Sequence, residues 1–179
     1  WTGDVLVLPV FKDAPFPSPT LEVDRALKGG LKSRLERDRF EADVEKAHWI
    51  ELPGVRAGRV LLISLGKKKE YSRSVLRQSL GVVGKLMLEG QVESVGLAGI
   101  DEKRIAADFD AALEGFLLGT YRFDRYRSET SAKRKLKSLT VIGRDRPVLA
   151  KIEKEWNRVL TSSEATFLAR DLINEPANI

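Results

Sequence analysis

Arg59-Val60-Leu61-Leu62-Ile63-Ser64-Leu65-Gly66-Lys67-Lys68-Lys69, followed from Ser72 by Leu76, Leu80, Val83 and Met87 and then by Gly90, is the stretch that decides the fold. Residues 59–65 form a short, nearly continuous apolar run closed by Gly66, as a strand covered on both faces requires. Ser72 offers a hydroxyl to the first free N–H groups of a helix. The apolar residues after it recur at spacings of four, three and four, and Gly90 closes the pattern. A buried strand running into an amphipathic helix is one unit of the helix–strand alternation from which a mostly parallel sheet is expected.

The rest of the chain repeats this alternation. Residues 4–10 (Asp4-Val5-Leu6-Val7-Leu8-Pro9-Val10) read as a buried first strand, ended by a Pro-rich loop over 14–19. Leu21, Ala26, Leu27, Leu31 and Leu35 make a helical stripe interrupted by Gly29-Gly30, which predicts a kinked or short helix. Residues 44–52, Pro53-Gly54 and residues 59–65 read as strand, turn and strand, and 91–100 and 136–142 as two further strands. Between those two, Ile105, Phe109, Ala112, Leu113, Phe116 and Leu117 share one helix face. A last helix begins at Pro147, with a break expected near Thr161-Ser162-Ser163 before it resumes toward Asn174, where Pro176 forbids continuation. Helices alternating with strands predict a three-layer α/β domain with a mostly parallel sheet, the hairpin adding an antiparallel strand. No internal repeat and no low-complexity linker is visible.

A chain of 179 residues with 42% apolar residues is ample for one packed core, and it contains no apolar run long enough for a bilayer-spanning helix. The absence of cysteine removes disulfides and thiolate chemistry and suits a reducing cytoplasm. The opening Trp1-Thr2-Gly3-Asp4 shows no secretory leader. The net charge of +5 points only weakly to nucleic acid, since Lys and Arg alternate with Asp and Glu through most helices.

Three segments carry a resemblance. Ala169-Arg170-Asp171-Leu172-Ile173-Asn174-Glu175-Pro176-Ala177-Asn178 resembles the junction at which the N-terminal domain of cytosolic leucine aminopeptidases meets the two-metal catalytic domain. Val60 to Lys68 is similar to that family's strand and Gly-Lys turn, and Ala112-Leu113-Glu114-Gly115-Phe116-Leu117-Leu118-Gly119-Thr120-Tyr121-Arg122-Phe123-Asp124-Arg125-Tyr126 to its helix end. The resemblance implies a macro-domain-like mixed sheet with helices on both faces. It implies a non-catalytic N-terminal domain over 1–160, with 161–179 as interdomain helix and the start of a catalytic domain. It further implies a cytoplasmic, hexameric parent enzyme that removes N-terminal residues from peptides with two divalent ions, zinc or manganese. Its own C-terminal catalytic domain would then be this chain's partner, and the domain's role would be oligomer assembly and access to the site. The family's metal-binding Lys and Asp and its Asn-Thr-Asp-Ala-Glu-Gly-Arg-Leu signature occur nowhere in 1–179, so no catalytic, cofactor or metal residue is assigned and this chain alone is expected to be inactive. The segment 166–179 is expected to be held poorly, with fast amide exchange from Asn174 onward, although Leu168, Leu172 and Ile173 could in part reach the domain's own core.

Other motifs have bland readings beside sharper ones. His48, the single histidine, has no ligand partner at metal-site spacing and reads as a packed or surface residue. Gly66-Lys67-Lys68-Lys69 lacks the spacing of a phosphate loop and reads as a solvated turn. Asp101-Glu102 reads as a helix start, with contact to adenosine in a macro-type, ADP-ribose-binding domain as the alternative. The cations Arg122, Arg125, Arg127, Lys133, Arg134, Lys135 and Lys137, interleaved at first with Tyr121, Phe123 and Tyr126, keep a nucleic-acid-binding module open. Against it, Phe123 and Tyr126 would anchor a helix end while Arg125 and Arg127 pair with Asp124, Glu129 or a partner domain. Arg34, Arg37 and Arg39 read as a solvated face. No Gly-x-Ser-x-Gly elbow supports nucleophilic hydrolysis.

Overall fold

Alternate residues of the apolar runs face opposite sides of a single sheet, as the two-residue repeat of a strand dictates. In the computed structural model, which describes residues 2–51, 58–98, 102–126, 136–143 and 146–176, the strands are β1 (Val5–Val10), β2 (Ala47–Glu51), β3 (Arg59–Ser64), β4 (Ser94–Ala98) and β5 (Ser138–Ile142). They lie in the order β2-β3-β1-β4-β5. β1 is parallel to both β3 and β4, β4 is parallel to β5, and only the edge strand β2 is antiparallel. Val5, Val7, Leu61, Ile63, Val95 and Leu97 build one core face; Leu8, Val10, Val60 and Leu62 build the other.

Two helices cover the second face: α1 (Ser18–Ala26) and α2 (Gly30–Arg37). The expected kinked helix is in fact two. Lys28 and Gly29 both take left-handed backbone, with φ of 52° and 82°. The carboxylate of Asp24 accepts from the N–H groups of Leu31 at 2.9 Å and Lys32 at 3.0 Å, so α1 ends by capping the start of α2. Three helices cover the first face: α3 (Arg73–Glu89), α4 (Glu102–Gly119) and, outside α4, α5 (Arg146–Asn174). As the spacing predicts, Ser72 caps α3, its hydroxyl accepting from Val75 N at 3.2 Å, and Leu76, Leu80, Val83 and Met87 are buried. Phe109, Ala112, Leu113 and Phe116 are the buried face of α4, and Phe109 stacks on Trp156 of α5 at 5.5 Å.

α5 departs from expectation in running unbroken through Thr161-Ser162-Ser163. The Thr161 and Thr166 hydroxyls donate back to the carbonyls of Asn157 and Ser162, both at 3.0 Å, so these two side chains are satisfied within the helix, while the buried Ser163 hydroxyl has no partner among the described residues. Val159 and Ser163 are buried on its inner side. The 160/161 position therefore carries no break in secondary structure.

Candidate functional site

The chemistry-bearing residues gather where the chain leaves α4 and meets the last turns of α5. Tyr121 stacks on Phe167 with ring centroids 5.4 Å apart, and its hydroxyl donates to Asp171 Oδ1 at 2.9 Å while accepting from Asn174 Nδ2 at 3.1 Å. The Arg170 guanidinium sits 5.2 Å from the same ring. A turn further on, Arg125 Nη1 donates to Glu175 Oε2 at 2.8 Å, and the Tyr126 hydroxyl donates to the other oxygen of that carboxylate. Tyr126 and Arg125 together hold the Glu175 carboxyl below its ordinary range, and Glu175 in return raises the Tyr126 hydroxyl. Burial is the main cause of the raised Tyr121 hydroxyl, its bond to Asp171 adding to it. Asp171, Asn174 and Glu175 share one helix face, because spacings of three and four return to the same side. That spacing is the signal from which their joint role could have been read.

Of the cations weighed for nucleic acid, Arg122 pairs with Asp124 at 2.6 Å and Arg125 with Glu175. Arg127, Lys133, Arg134 and Lys135 lie outside the described residues. The expectation for the chain after Asn174 meets two contacts at Glu175: its N–H donates to Asp171 O at 2.9 Å, and Arg125 and Tyr126 grip its side chain. Ala177, Asn178 and Ile179, on which the rest of that expectation falls, lie outside the described residues.

The outer side of α5 is different in kind. Leu168, Leu172 and Ile173, expected in part to reach the domain's own core, are 61%, 70% and 82% exposed, the most exposed large apolar side chains among the described residues. Three such side chains within two turns leave apolar surface uncovered, the usual mark of a surface that meets another protein surface.

His48 Nε2 lies 2.9 Å from Asp38 Oδ2 and its ring lies 5.2 Å from Phe40; Arg34 holds the Asp38 carboxyl below its ordinary range, with His48 contributing. Arg34 and Arg37 both pair with Asp38. Lys67, Lys68 and Lys69 are exposed, and the Lys68 N–H donates to Asp13 at 2.8 Å. Asp101 lies outside the described residues. Among the described residues no group of three His, Asp or Glu side chains is placed to hold a metal ion, and no helix is long and apolar enough to cross a membrane.

These observations define an α/β domain whose polar side chains are largely engaged with one another and whose last helix carries an uncovered apolar face. Residues 7–130 match the family described as "Cytosol aminopeptidase family, N-terminal domain", and the chain belongs to that family. A probable cytosol aminopeptidase of Azoarcus sp. is 31% identical over 98% of this chain and 36% of its own length. Leucine aminopeptidase 1 of Arabidopsis thaliana is 29% identical over 100% of this chain and 36% of its own. Among solved structures, a mutant of tomato leucine aminopeptidase superposes with a TM-score of 0.77 at 23% identity, over 99% of this chain and 36% of that one. The bottromycin maturation enzyme BotP gives 0.68 at 23% identity. At such identity the superpositions establish the shared α/β fold. The chain spans about a third of the length of the curated relatives it matches.

Proposed function

We propose that this chain acts as the non-catalytic N-terminal domain of a metal-dependent aminopeptidase and docks on the catalytic part through Leu168, Leu172 and Ile173. The uncovered face of α5 carries this reading. Each of these side chains is worth about 1.5 to 3 kcal/mol when fully buried, so covering all three supplies a substantial part of a stable domain interface. The grip of Tyr121, Arg125 and Tyr126 on Asp171, Asn174 and Glu175 then fixes the direction in which α5 presents that face. Two divalent ions, zinc or manganese, would be held by residues beyond this chain and would activate water against the scissile bond. Hexamer assembly and control of peptide access, in the cytoplasm, are the roles this domain would serve.

The experiment compares one substitution in two settings. In the 179-residue chain, Leu172→Asp should move the melting temperature by less than about 2 °C, as an exposed site does. In an enzyme of the relatives' length containing this chain, it should lower the melting temperature by several degrees and weaken assembly. Equal effects in both settings would remove the basis for docking through this face.

A companion measurement concerns activity. With added manganese or zinc, the 179-residue chain should release no leucine from a leucine anilide above a metal-only blank. Turnover that survives repurification would show that the chain holds a catalytic site of its own.

A further inference from the structure

The sheet order creates a crevice that the aminopeptidase reading does not use. β1 and β4 are neighbours, yet the chain after β1 turns to α1 and α2 on one face while the chain after β4 enters α4 on the other. Where adjacent connections leave an open α/β sheet in opposite directions, a cleft opens at the carboxyl ends of the strands, and this is the recurrent ligand position in such sheets.

Here that cleft has a volume of about 370 Å³ and is lined by Phe11, Phe16 and the neighbouring prolines of the β1–α1 loop, by Lys68 and Tyr71 after β3, and by Arg104 in the first turn of α4. Among the described residues its lining holds three aromatic rings and two cations, and no carboxylate. The aromatic wall is held in place from behind. The Tyr71 hydroxyl donates to Asp108 at 2.7 Å, and its ring meets Phe11 edge-on with centroids 5.9 Å apart. The Arg104 guanidinium lies 5.1 Å from the Tyr71 ring centroid, so one cation is placed against the aromatic wall. Burial, reinforced by Asp108, raises the Tyr71 hydroxyl well above its ordinary value, which keeps it a neutral donor and adds no negative charge to the cleft. Lys68 reaches the rim from a backbone tied to Asp13 through its N–H at 2.8 Å.

We propose that this cleft binds a small organic anion of the mononucleotide class, its phosphate between Lys68 and Arg104 and its flat ring against Phe11, Phe16 and Tyr71. The volume is at the low end for ligand pockets, which suits one ring and one phosphate and excludes a dinucleotide held along its length. Charge-assisted bonds to phosphate supply strength and the rings supply orientation.

Titration of the 179-residue chain with AMP, followed by amide chemical shifts and melting temperature, tests the assignment, with adenosine and inorganic phosphate as separate arms. AMP should shift the amides of Phe11, Lys68 and Tyr71 and raise the melting temperature, each part alone doing so more weakly. Lys68→Ala, at an exposed position, should melt like the parent without ligand, and Lys68→Ala and Arg104→Gln should each bind AMP about tenfold more weakly. The proposal is overturned by no response at millimolar AMP, by phosphate alone reproducing the full response, or by both variants binding as the parent does. None of these outcomes bears on docking through α5, which is read by a different variant.

Discussion

Phe116→Ala is expected to cost about 3 to 5 kcal/mol, the range for removing a fully buried phenylalanine. Phe116 has 0% exposure and belongs to the core cluster that joins α3 and α4 to the inner face of β1, β3 and β4. The cost has two parts: the transfer of a large apolar side chain, and the cavity left where neighbours cannot close in. The second part should be large here. The backbone of Phe116 is pressed so closely against α3 that a Cβ added at Gly84 would overlap its carbonyl oxygen, so α4 has no freedom to sink toward α3 and fill the space. For a domain of this size each kcal/mol lowers the melting temperature by about 2 to 4 °C, giving a fall of about 6 to 20 °C. Denaturant melts of the two proteins give the difference directly. A loss below about 1 kcal/mol would mean that the ring lies outside the core.

Phe116 was legible in the sequence because a helix with apolar residues at 109, 112, 113, 116 and 117 has one inward face, and 116 lies near its middle. The strands were legible for a similar reason: residues 5–10 are apolar and residues 60–65 are apolar apart from Ser64, as covered parallel strands must be. Periodicity could not say which surface covers a given face. Leu168, Leu172 and Ile173 have the spacing of a core stripe, and the structure leaves them exposed while Val159 and Ser163, earlier on the same helix, turn inward. An apolar face says that burial is favourable and leaves the covering partner open. Gly29-Gly30 was legible as an interruption, but not as a full separation of two helices, because that depends on Asp24 reaching forward to the start of α2.

The two polar sites differ in the same way. The expectation has Tyr126 anchoring a helix end and Arg125 pairing with Asp124, Glu129 or a partner domain, but both hold Glu175, about fifty residues away in the chain and beyond the reach of local pairing rules. The cleft of Phe11, Lys68, Tyr71 and Arg104 was illegible. Lys68 read as part of a solvated turn, and only the placing of β1 between β3 and β4 brings that turn beside the first turn of α4.

Gly115→Ala and Gly119→Ala are expected to be as damaging as the loss of Phe116, for the opposite reason. α3 and α4 cross in backbone contact. A Cβ on Gly115 would overlap the carbonyl oxygen of Arg77, and one on Gly119 the carbonyl oxygen of Gly81. Both obstacles are main-chain atoms in the middle of a helix and cannot swing aside as a side chain would, so the helices must separate. Separation loosens every contact between α3 and α4 and strains the Arg77–Glu114 pair at 2.7 Å and the Arg73–Asp110 pair beside it. Overpacking a core by one methyl group commonly costs about 1 to 3 kcal/mol, and the backbone clash places these two at about 3 kcal/mol or more. Gly81→Ala is the control on the same seam. Its added Cβ would lie 3.5 Å from Gly115 O, an ordinary contact. Alanine is preferred to glycine in a helix by about 0.5 to 1 kcal/mol, so Gly81→Ala should be neutral or stabilising. Urea melts of the three variants should therefore separate Gly115 and Gly119 from Gly81 by several kcal/mol. If all three melt within about 1 kcal/mol of the parent, the helices do not touch through their backbones at this crossing.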